Sequence, residues 1–227
     1  MYGDKMAGMG FKGITPDMVI GSAFAAAYYI KHEMKLTGKV YVIGEKGIAV
    51  SMAEEGITIA GMEEDNHVWD PVAMENWEPD PEVAAVLFGL DTEMNYTKVT
   101  KATRYLSNPD VKFIATNADM TFPFRTFKAP GTGAMLALLK AATGRDPLVT
   151  GKPNKPMRDV VLHKFDLDPS RTLMIGDRLD TDIEFGLQGG MKTLMVLSGI
   201  STEAEIQKPG APTVPHFYAD SIAALKD

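Results

Sequence analysis

Ile175-Gly176-Asp177-Arg178-Leu179-Asp180-Thr181-Asp182 is the stretch of sequence that decides the fold. It continues a short apolar run that begins at Thr172, and it leads into residues with a helical pattern. A strand that ends in Gly-Asp and is followed by a helix is typical of the carboxyl edge of a parallel sheet, where open α/β proteins bind their ligands. Carboxylates at such an edge suit a hard divalent cation. The stretch therefore predicts a parallel α/β sheet with a magnesium site.

The same alternation of short apolar runs and helical patterns continues on both sides of this stretch. It is typical of βα units that form a mostly parallel sheet covered by helices. The apolar runs predict strands at 39–45, 83–90, 112–116, around 148, from 172 and at 193–197. The 3.6-residue periodicities predict helices at 22–36, 47–55, 96–106, 132–142, 154–165 and from 181.

Composition narrows the function classes. The 227 residues carry a formal net charge of -7, which disfavours a nucleic-acid partner because such binding depends on Lys and Arg neutralising phosphates. The absence of cysteine excludes disulfides, zinc-thiolate sites and a thiol nucleophile, and fits a reducing cytoplasm. No window approaches the roughly 20 apolar residues that span a bilayer. We therefore expect a cytoplasmic protein without a membrane or nucleic-acid partner.

An acidic segment interrupts the βα pattern between Glu63 and Glu82. It holds eight acidic residues, three prolines and both tryptophans, Trp69 and Trp77, and no Lys or Arg. This composition favours a solvated loop with its tryptophans folded onto the core over a binding surface.

Lys152 is the first candidate for phosphate chemistry. It lies in Gly151-Lys152-Pro153-Asn154, between a short strand and a helix, so its ammonium should project over the same sheet edge as Asp177. A surface lysine in a turn is the alternative. The appearance of the Gly-Asp stretch about one βα unit later favours the functional interpretation, with Lys152 holding a phosphate or pairing with a carboxylate.

The carboxylates of the opening stretch have different predicted roles. Asp177 follows the strand directly and can reach an ion at the sheet edge, whereas Asp180 and Thr181 are placed to cap the next helix. Asp182 falls in the first helical turn, where it completes the cation site or favours the helix dipole, and we favour the cation site. Arg178 fits a structural brace as well as a catalytic group.

Other polar and glycine-rich motifs give weaker evidence for a binding site. Thr116-Asn117-Ala118-Asp119 ends a strand, and it fits a pocket mouth and a simple turn equally well. Gly131 and Gly133 lack the Lys-Ser/Thr of a nucleotide loop, so they indicate a helix entry turn. The four histidines are not spaced as metal ligands.

Taken together, these motifs resemble the haloacid dehalogenase (HAD) superfamily of phosphatases, in the branch of 4-nitrophenyl phosphatases and phosphoglycolate phosphatases with a large inserted cap. The resemblance covers essentially the whole chain. It rests on 44–45, 89–91 with 95–98, 116–119, 151–154, 176–182 and 198–200.

The resemblance implies a phosphatase that hydrolyses a small phosphorylated metabolite through an aspartyl-phosphate, with Mg²⁺ as cofactor. It implies that Lys152 steadies the nucleophile and the phosphate, and that Asp177 binds magnesium with support from Asp182. It also implies substrate contacts and a homodimer formed through the cap. The substrate-binding residues implied are Asn117, Asp119, Asn154, Asp91, Glu93, Asn95 and Tyr96.

The sequence departs from that family at its catalytic motif. Family members carry Asp-x-Asp-Gly on a first strand and Thr-Asn-Asn-Ser on a second, and neither motif occurs in this sequence. Asp166-Leu167-Asp168 lacks the apolar strand that would aim a nucleophile, so we reject it as the missing motif. Two βα units, about 70 residues, would be absent from the start. Residues 8–11 would then end the helix that follows the second motif.

We therefore expect a Rossmann-like parallel core that is incomplete at its N-terminus, with an inserted α/β cap. The predicted divisions are a core remnant at 1–36, a cap at 37–107 and core at 108–227. This chain should be inactive on its own because it lacks the nucleophile. A different functional hypothesis is that the chain is a non-catalytic binding or dimerisation protein. A third, less favoured hypothesis is that a partner protein supplies the missing strands.

Overall fold

The computed structural model describes Gly8 and residues 13–225, and it is a mixed α/β structure with parallel sheets, as predicted. In this part of the chain a five-stranded sheet has the order β2-β1-β3-β4-β7, with every neighbouring pair parallel. Its strands are β1 (Lys39–Ile43), β2 (Ile59–Gly61), β3 (Val83–Phe88), β4 (Lys112–Ala115) and β7 (Leu148–Val149).

Apolar strand runs explain why this sheet lies inside the molecule. Residues 85–88 of β3 and 40–43 of β1 are at most 1% exposed, as expected for strands covered by helices on both faces. One core cluster packs on the helix Tyr96–Leu106, and the other packs on the helices Ser22–Tyr28 and Lys46–Glu54.

A second sheet of three parallel strands follows in the chain, in the order β10-β9-β8. It consists of β8 (Leu173–Gly176), β9 (Lys192–Val196) and β10 (Phe217–Ala219). The helix Lys155–Lys164 precedes it, and Met157 packs with Ala25 and Phe185 in a shared apolar cluster. The remaining α-helices of the described residues are Pro71–Glu75, Thr132–Thr143, Glu184–Gln188 and Glu203–Gln207.

An antiparallel hairpin of β5 (Thr121–Pro123) and β6 (Lys128–Pro130) was not predicted. It follows the loop after β4 and precedes the helix Thr132–Thr143. The aromatic rings of Phe124 and Phe127 stack with their centroids 4.7 Å apart and close its tip.

Several predicted elements need correction. The first predicted helix, 22–36, is α-helical only over Ser22–Tyr28 and continues as a π-helical turn over Tyr29–Glu33. The helix predicted from 181 begins with a π-helical turn, Leu179–Ile183, whose N-cap is Arg178 without a side-chain bond. The caps predicted at Asp180 and Thr181 are therefore wrong.

The predicted domain boundary at 107/108 does not coincide with a boundary between sheets. The five-stranded sheet continues across it, because β4 and β7 pair with strands from the predicted cap. Part of the predicted 1–36 remnant, including the predicted helix end at 9–11, lies outside the described residues. Within the described residues, no helix is long and apolar enough to cross a membrane.

Candidate active site

Loops at the carboxyl ends of β4, β7 and β8 meet around one cavity of about 740 Å³. This is the position expected for ligands of parallel α/β sheets. The sequence-predicted residues that line it are Asn117, Asp119, Lys152, Asp177 and Asp182. The structure thus brings together the candidates from three separate strand ends.

An ion pair between Lys152 and Asp182 lies at the centre of this site. The ammonium of Lys152 donates to Oδ1 of Asp182 at 2.7 Å, and the two side chains are 42% and 8% exposed, respectively. The other carboxylate oxygen of Asp182 accepts the backbone N–H groups of Asp177 and Arg178, each at 3.2 Å. Asp182 therefore fixes both the lysine and the loop that carries Asp177.

Gly176 makes this arrangement possible. A Cβ at position 176 would lie 2.2 Å from Cβ of Asp182, which is closer than atoms can approach. Asp182 can fold back onto the end of β8 only because the strand ends in glycine.

Asp177 lines the cavity, and its carboxylate is held by the loop 199–201. Its Oδ2 accepts the backbone N–H of Ile200 at 3.0 Å, and its own carbonyl accepts the N–H of Ser201 at 3.0 Å. A Cβ at Gly199 would lie 2.1 Å from that same Oδ2, so the 199–201 loop packs directly on the carboxylate. Among the described residues, Oδ1 of Asp177 has no hydrogen-bond partner.

The loop that carries Lys152 is fixed against the loop after β4. Thr150 donates its backbone N–H to the carbonyl of Ala115 at 2.8 Å, and a Cβ at Gly151 would lie 2.4 Å from the carbonyl oxygen of Thr116. Asn154 donates its side-chain amide to the Gly151 carbonyl at 3.0 Å. Asn154 thus closes the turn and is not among the residues that line the cavity.

Asn117 and Asp119, on the loop after β4, also line the cavity. Asn117 donates to Oδ2 of Asp119 at 2.8 Å, and the Asp119 carboxylate lies 3.9 Å from the guanidinium of Arg178. Arg178 also forms a two-pronged contact with Asp180, at 3.0 and 2.6 Å. This contact holds the pKa of the Asp180 carboxyl below its usual value. Arg178 is therefore a brace between the loops after β4 and β8.

The donor set fits a magnesium ion that is shared with a ligand. Both oxygens of Asp182 already have protein partners, so Asp177 offers the open oxygen. Within residues 13–225 and Gly8, no group of three or more His, Asp or Glu side chains is placed to hold a metal by itself. Mg²⁺ is commonly bound through one or two carboxylates, with water and phosphate oxygens as its other ligands.

The remaining predicted substrate residues lie elsewhere. Asp91 and Glu93 line a different cavity, of about 570 Å³, at the ends of β1 and β3, whereas the neighbouring Leu90 lines the larger one. The Asp91 carboxylate accepts from the ammonium of Lys98 at 2.8 Å, with both side chains at most 3% exposed. The structure therefore separates these residues from Lys152 and Asp177.

Asn95 and Tyr96 have local structural contacts. The side chain of Asn95 accepts the backbone N–H of Lys98 at 3.0 Å and caps the helix Tyr96–Leu106. Tyr96 is 66% exposed, and its ring lies 4.6 Å from that of Trp69. An asparagine just before a helical pattern is a common N-cap, so the cap could have been found in the sequence.

Sequence reasoning missed the hairpin residues of the site. Thr121, Phe122 and Lys128 line the larger cavity beside Asp119. The alternation of aromatic residues around 122–127 was the available signal.

The chain is similar in sequence to a hydrolase family and to individual phosphatases. Residues 149–225 match the HAD-hydrolase-like family model. The chain is 38% identical to phosphoglycolate phosphatase 2 of Arabidopsis thaliana, over 99% of this chain and 76% of that protein. It is 38% identical to 4-nitrophenylphosphatase of Schizosaccharomyces pombe, over 91% of this chain and 71% of that protein. The chain belongs to the HAD superfamily. The predicted family is thus confirmed.

Solved structures share the fold of this chain over almost its whole length. A p-nitrophenyl phosphatase from Archaeoglobus fulgidus superimposes with a TM-score of 0.80 at 26% identity, covering 97% of this chain and 77% of that one. A hypothetical protein from Pyrococcus horikoshii OT3 gives a TM-score of 0.84 at 34% identity, covering 99% of this chain and 80% of that one.

Proposed function

We propose that the larger cavity binds the phosphoryl group of a small phosphate monoester, and that the protein is a magnesium-dependent phosphatase of the 4-nitrophenyl phosphate or phosphoglycolate type. The observation that carries this proposal is the Lys152–Asp182 ion pair in one cavity with the open oxygen of Asp177. The names of its relatives support the substrate class.

Each residue has a distinct task in this proposal. Lys152 donates to phosphoryl oxygens, and a partly exposed ammonium can do so without losing Asp182. Asp182 orients that ammonium through Oδ1 while its other oxygen fixes the loop after β8. Asn117 can donate its amide at the cavity edge. The site therefore holds a phosphate by charge and by position.

Magnesium would be held by Asp177, with Asp182 in support, and would neutralise charge on the phosphoryl oxygens. The hydrogen bond from Ile200 fixes the orientation of the Asp177 carboxylate before an ion binds.

The nucleophile is the missing component. The sequence contains no Asp-x-Asp-Gly motif, and neither Asp177 nor Asp182 is free for the task if both serve the cation. We therefore propose that these 227 residues alone bind phosphate but hydrolyse phosphate monoesters only slowly. A non-catalytic binding protein is the alternative that this absence favours.

Hydrolysis of 4-nitrophenyl phosphate with Mg²⁺ tests the proposal, with Asp177→Asn as the comparison and calorimetric binding of inorganic phosphate as a parallel readout. Binding that requires Mg²⁺ and is lost in Asp177→Asn, with little turnover, is the expected result. Turnover that the substitution abolishes would place a nucleophile within this chain. A folded protein that neither binds inorganic phosphate nor hydrolyses 4-nitrophenyl phosphate would refute the phosphatase assignment.

We also propose that the five-stranded sheet serves as the cap and mediates a homodimer. Exposed apolar side chains at Val68, Trp69, Val72 and Tyr96 lie on this part of the chain, and Val68 is 91% exposed. Such clustered apolar surface is typical of protein interfaces. Light scattering on the Val68→Lys/Val72→Lys variant should show a monomer where the unaltered chain gives a dimer, and a monomer in both would refute the interface.

A further inference from the structure

The smaller cavity lies where the five-stranded sheet changes its direction of winding. From β1 the chain passes through the helix Lys46–Glu54 to β2 on one side, whereas from β3 it passes through the helix Tyr96–Leu106 to β4 on the other side. These helices cover opposite faces of the sheet, because the first shares a core cluster with Val42 and the second with the adjacent Ile43. The loops that leave the neighbouring strands β1 and β3 therefore diverge. Open α/β sheets bind ligands in the crevice at such a point.

Residues from both diverging loops line this cavity. Gly44 directly follows β1, and Asp91 lies shortly after the end of β3. The cavity volume, about 570 Å³, is ordinary for a small-molecule site. Among the described residues, none lines both this cavity and the larger one. Position and size thus fit a ligand site that is separate from the phosphate site.

A buried ion pair borders this cavity. The side chains of Lys98 and Asp91 are 2% and 3% exposed, and both residues line the cavity. The ammonium of Lys98 donates to Oδ2 of Asp91 at 2.8 Å and to the carbonyl of Glu93 at 3.3 Å. An ammonium has three N–H donors, and within the described part of the chain the third has no acceptor. A buried ion pair is rarely more stabilising than apolar side chains of similar volume, so stability alone does not explain these charges.

The other charged groups of the cavity leave an excess of negative charge. Lys46 pairs with Glu63 at 3.1 Å. Glu45 and Glu93 also line the cavity, and among the residues that the structure describes neither has a cation within ion-pair distance. Both carboxylates are held in place by neutral donors. Glu45 accepts the hydroxyl and the backbone N–H of Thr92, and Glu93 accepts the side-chain amide of Asn66.

The arrangement of these carboxylates favours an organic cation over a metal ion. Glu45 follows β1 and Glu93 follows β3, so they approach the cavity from different loops. In the described residues, no group of three or more His, Asp or Glu side chains is placed to hold a metal. A ligand with its charge spread over several N–H donors can reach carboxylates that do not converge on one point.

We propose that the smaller cavity binds a small amino alcohol, a protonated primary amine that also carries hydroxyl groups. Its ammonium pairs with Glu45 and Glu93, and a hydroxyl oxygen accepts the third N–H of Lys98. The inference goes beyond the phosphatase proposal and does not depend on it, because it concerns the other cavity.

Amide chemical-shift titrations of the isotopically labelled chain, at neutral pH with EDTA, test this inference. The ligands share one three-carbon skeleton: 2-amino-1,3-propanediol, glycerol, which replaces the amine by a hydroxyl, and isopropylamine, which lacks the hydroxyls. Glu45→Gln and Glu93→Gln remove one charge each and keep an oxygen for Thr92 and Asn66. Glu54→Gln is the matched control, an exposed glutamate that lines neither cavity.

We expect the amino alcohol to cause saturable shifts at the amides of Gly47 and Thr92, which line the cavity. It should bind about tenfold more tightly than glycerol and about fivefold more tightly than isopropylamine. Glu45→Gln and Glu93→Gln should each weaken its binding about fivefold, the size of an exposed charge pair, and Glu54→Gln should leave it unchanged.

The hydroxyl contact is tested in Lys98→Met/Asp91→Leu, which removes the buried pair without changing the net charge. In that variant the amino alcohol should bind no more tightly than isopropylamine. A preference for the amino alcohol that survives the double substitution would overturn the role of Lys98.

Glycerol binding as tightly as the amino alcohol, or an amine affinity that both glutamate variants retain, would overturn the site. Shifts confined to the amides around Lys152 and Asp177 would move the amine to the larger cavity and contradict the proposal. Displacement of the amino alcohol by Ca²⁺, with saturation at the amides of Gly47 and Thr92, would instead assign the cavity to a metal ion. Calorimetry with inorganic phosphate on the same sample tests the phosphatase proposal separately.

Discussion

Oδ1 of Asp182 lies 2.7 Å from the ammonium of Lys152, and this contact joins the loop after β7 to the turn after β8. The two strands belong to different sheets. The ion pair therefore contributes to the position of one sheet edge relative to the other as well as to the charge of the cavity.

Replacing Lys152 by Met should weaken binding of inorganic phosphate about tenfold, or roughly 1.4 kcal/mol, because a charged donor to phosphate is lost. Calorimetry with Mg²⁺ measures this change. Lys155→Met is the matched control, since Lys155 is 72% exposed and, among the described residues, forms an ion pair only with Asp159. Equal affinities in the two variants would remove Lys152 from the phosphate site.

Replacing Asp182 by Ala should lower the free energy of unfolding by about 2 to 3 kcal/mol, because two backbone N–H groups lose their shared acceptor. Urea denaturation gives this value. Asp180→Ala should change stability by less than about 1 kcal/mol, since the Asp180 side chain is 66% exposed and pairs only at the surface. A small effect at Asp182 would show that the turn after β8 is held by other contacts.

Replacing Gly176 by Ala should destabilise the protein by about 1 to 3 kcal/mol, the usual cost of overpacking, since the new Cβ would meet Asp182 at 2.2 Å. The substitution should also weaken phosphate binding, because Asp182 must move. Gly47→Ala is the control: nothing lies within 4 Å of its Cβ position in the helix Lys46–Glu54. It should be neutral or stabilising by up to about 1 kcal/mol. Thermal unfolding of both variants measures these changes, and equal unfolding temperatures would contradict the predicted clash at position 176.

The sequence predicts those parts of the fold that depend on neighbouring residues, and it fails where the structure depends on contacts between distant residues. The helix Tyr96–Leu106 was predicted with its observed ends, because its apolar spacing and the following Asn108-Pro109 are local features. The 121–130 hairpin was not, because its strands are short and exposed and contain proline, and the aromatic alternation around 122–127 is too short a signal to predict a strand.

The candidate site shows the same limit. Lys152, Asp177 and Asp182 could be placed at strand ends from local pattern alone. Which strand ends share a cavity depends on the order of strands in the sheet, which is a non-local property. Leu90 and Asp91 are adjacent in sequence and line different cavities, so no local pattern could have separated them.

The carboxyl group of Glu45 should titrate below its ordinary pKa, because it accepts the hydroxyl and the backbone N–H of Thr92 at 2.6 and 3.0 Å. A lowered folded-state pKa contributes stability above the unfolded pKa of about 4.3, and this stability is lost as the pH falls through the folded value. Thr92→Val removes the hydroxyl donor and should raise the pKa towards normal. An NMR titration of the Glu45 carboxyl carbon measures the change, and an unchanged pKa would assign the shift to the backbone bond alone.

Replacing Lys98 by Met should lower the free energy of unfolding by about 3 to 5 kcal/mol, because the Asp91 carboxylate, 3% exposed, would remain buried without its cation. The double substitution Lys98→Met/Asp91→Leu removes both charges and should recover most of that loss. Denaturant unfolding of the unaltered chain, the single variant and the double variant measures the loss and its recovery. Phosphate affinity, measured where each variant is folded, should stay within about twofold of the unaltered chain, since this pair lines the other cavity. A selective loss of phosphate affinity in the stable double variant would return Asp91 to the substrate site and contradict the separation of the two cavities.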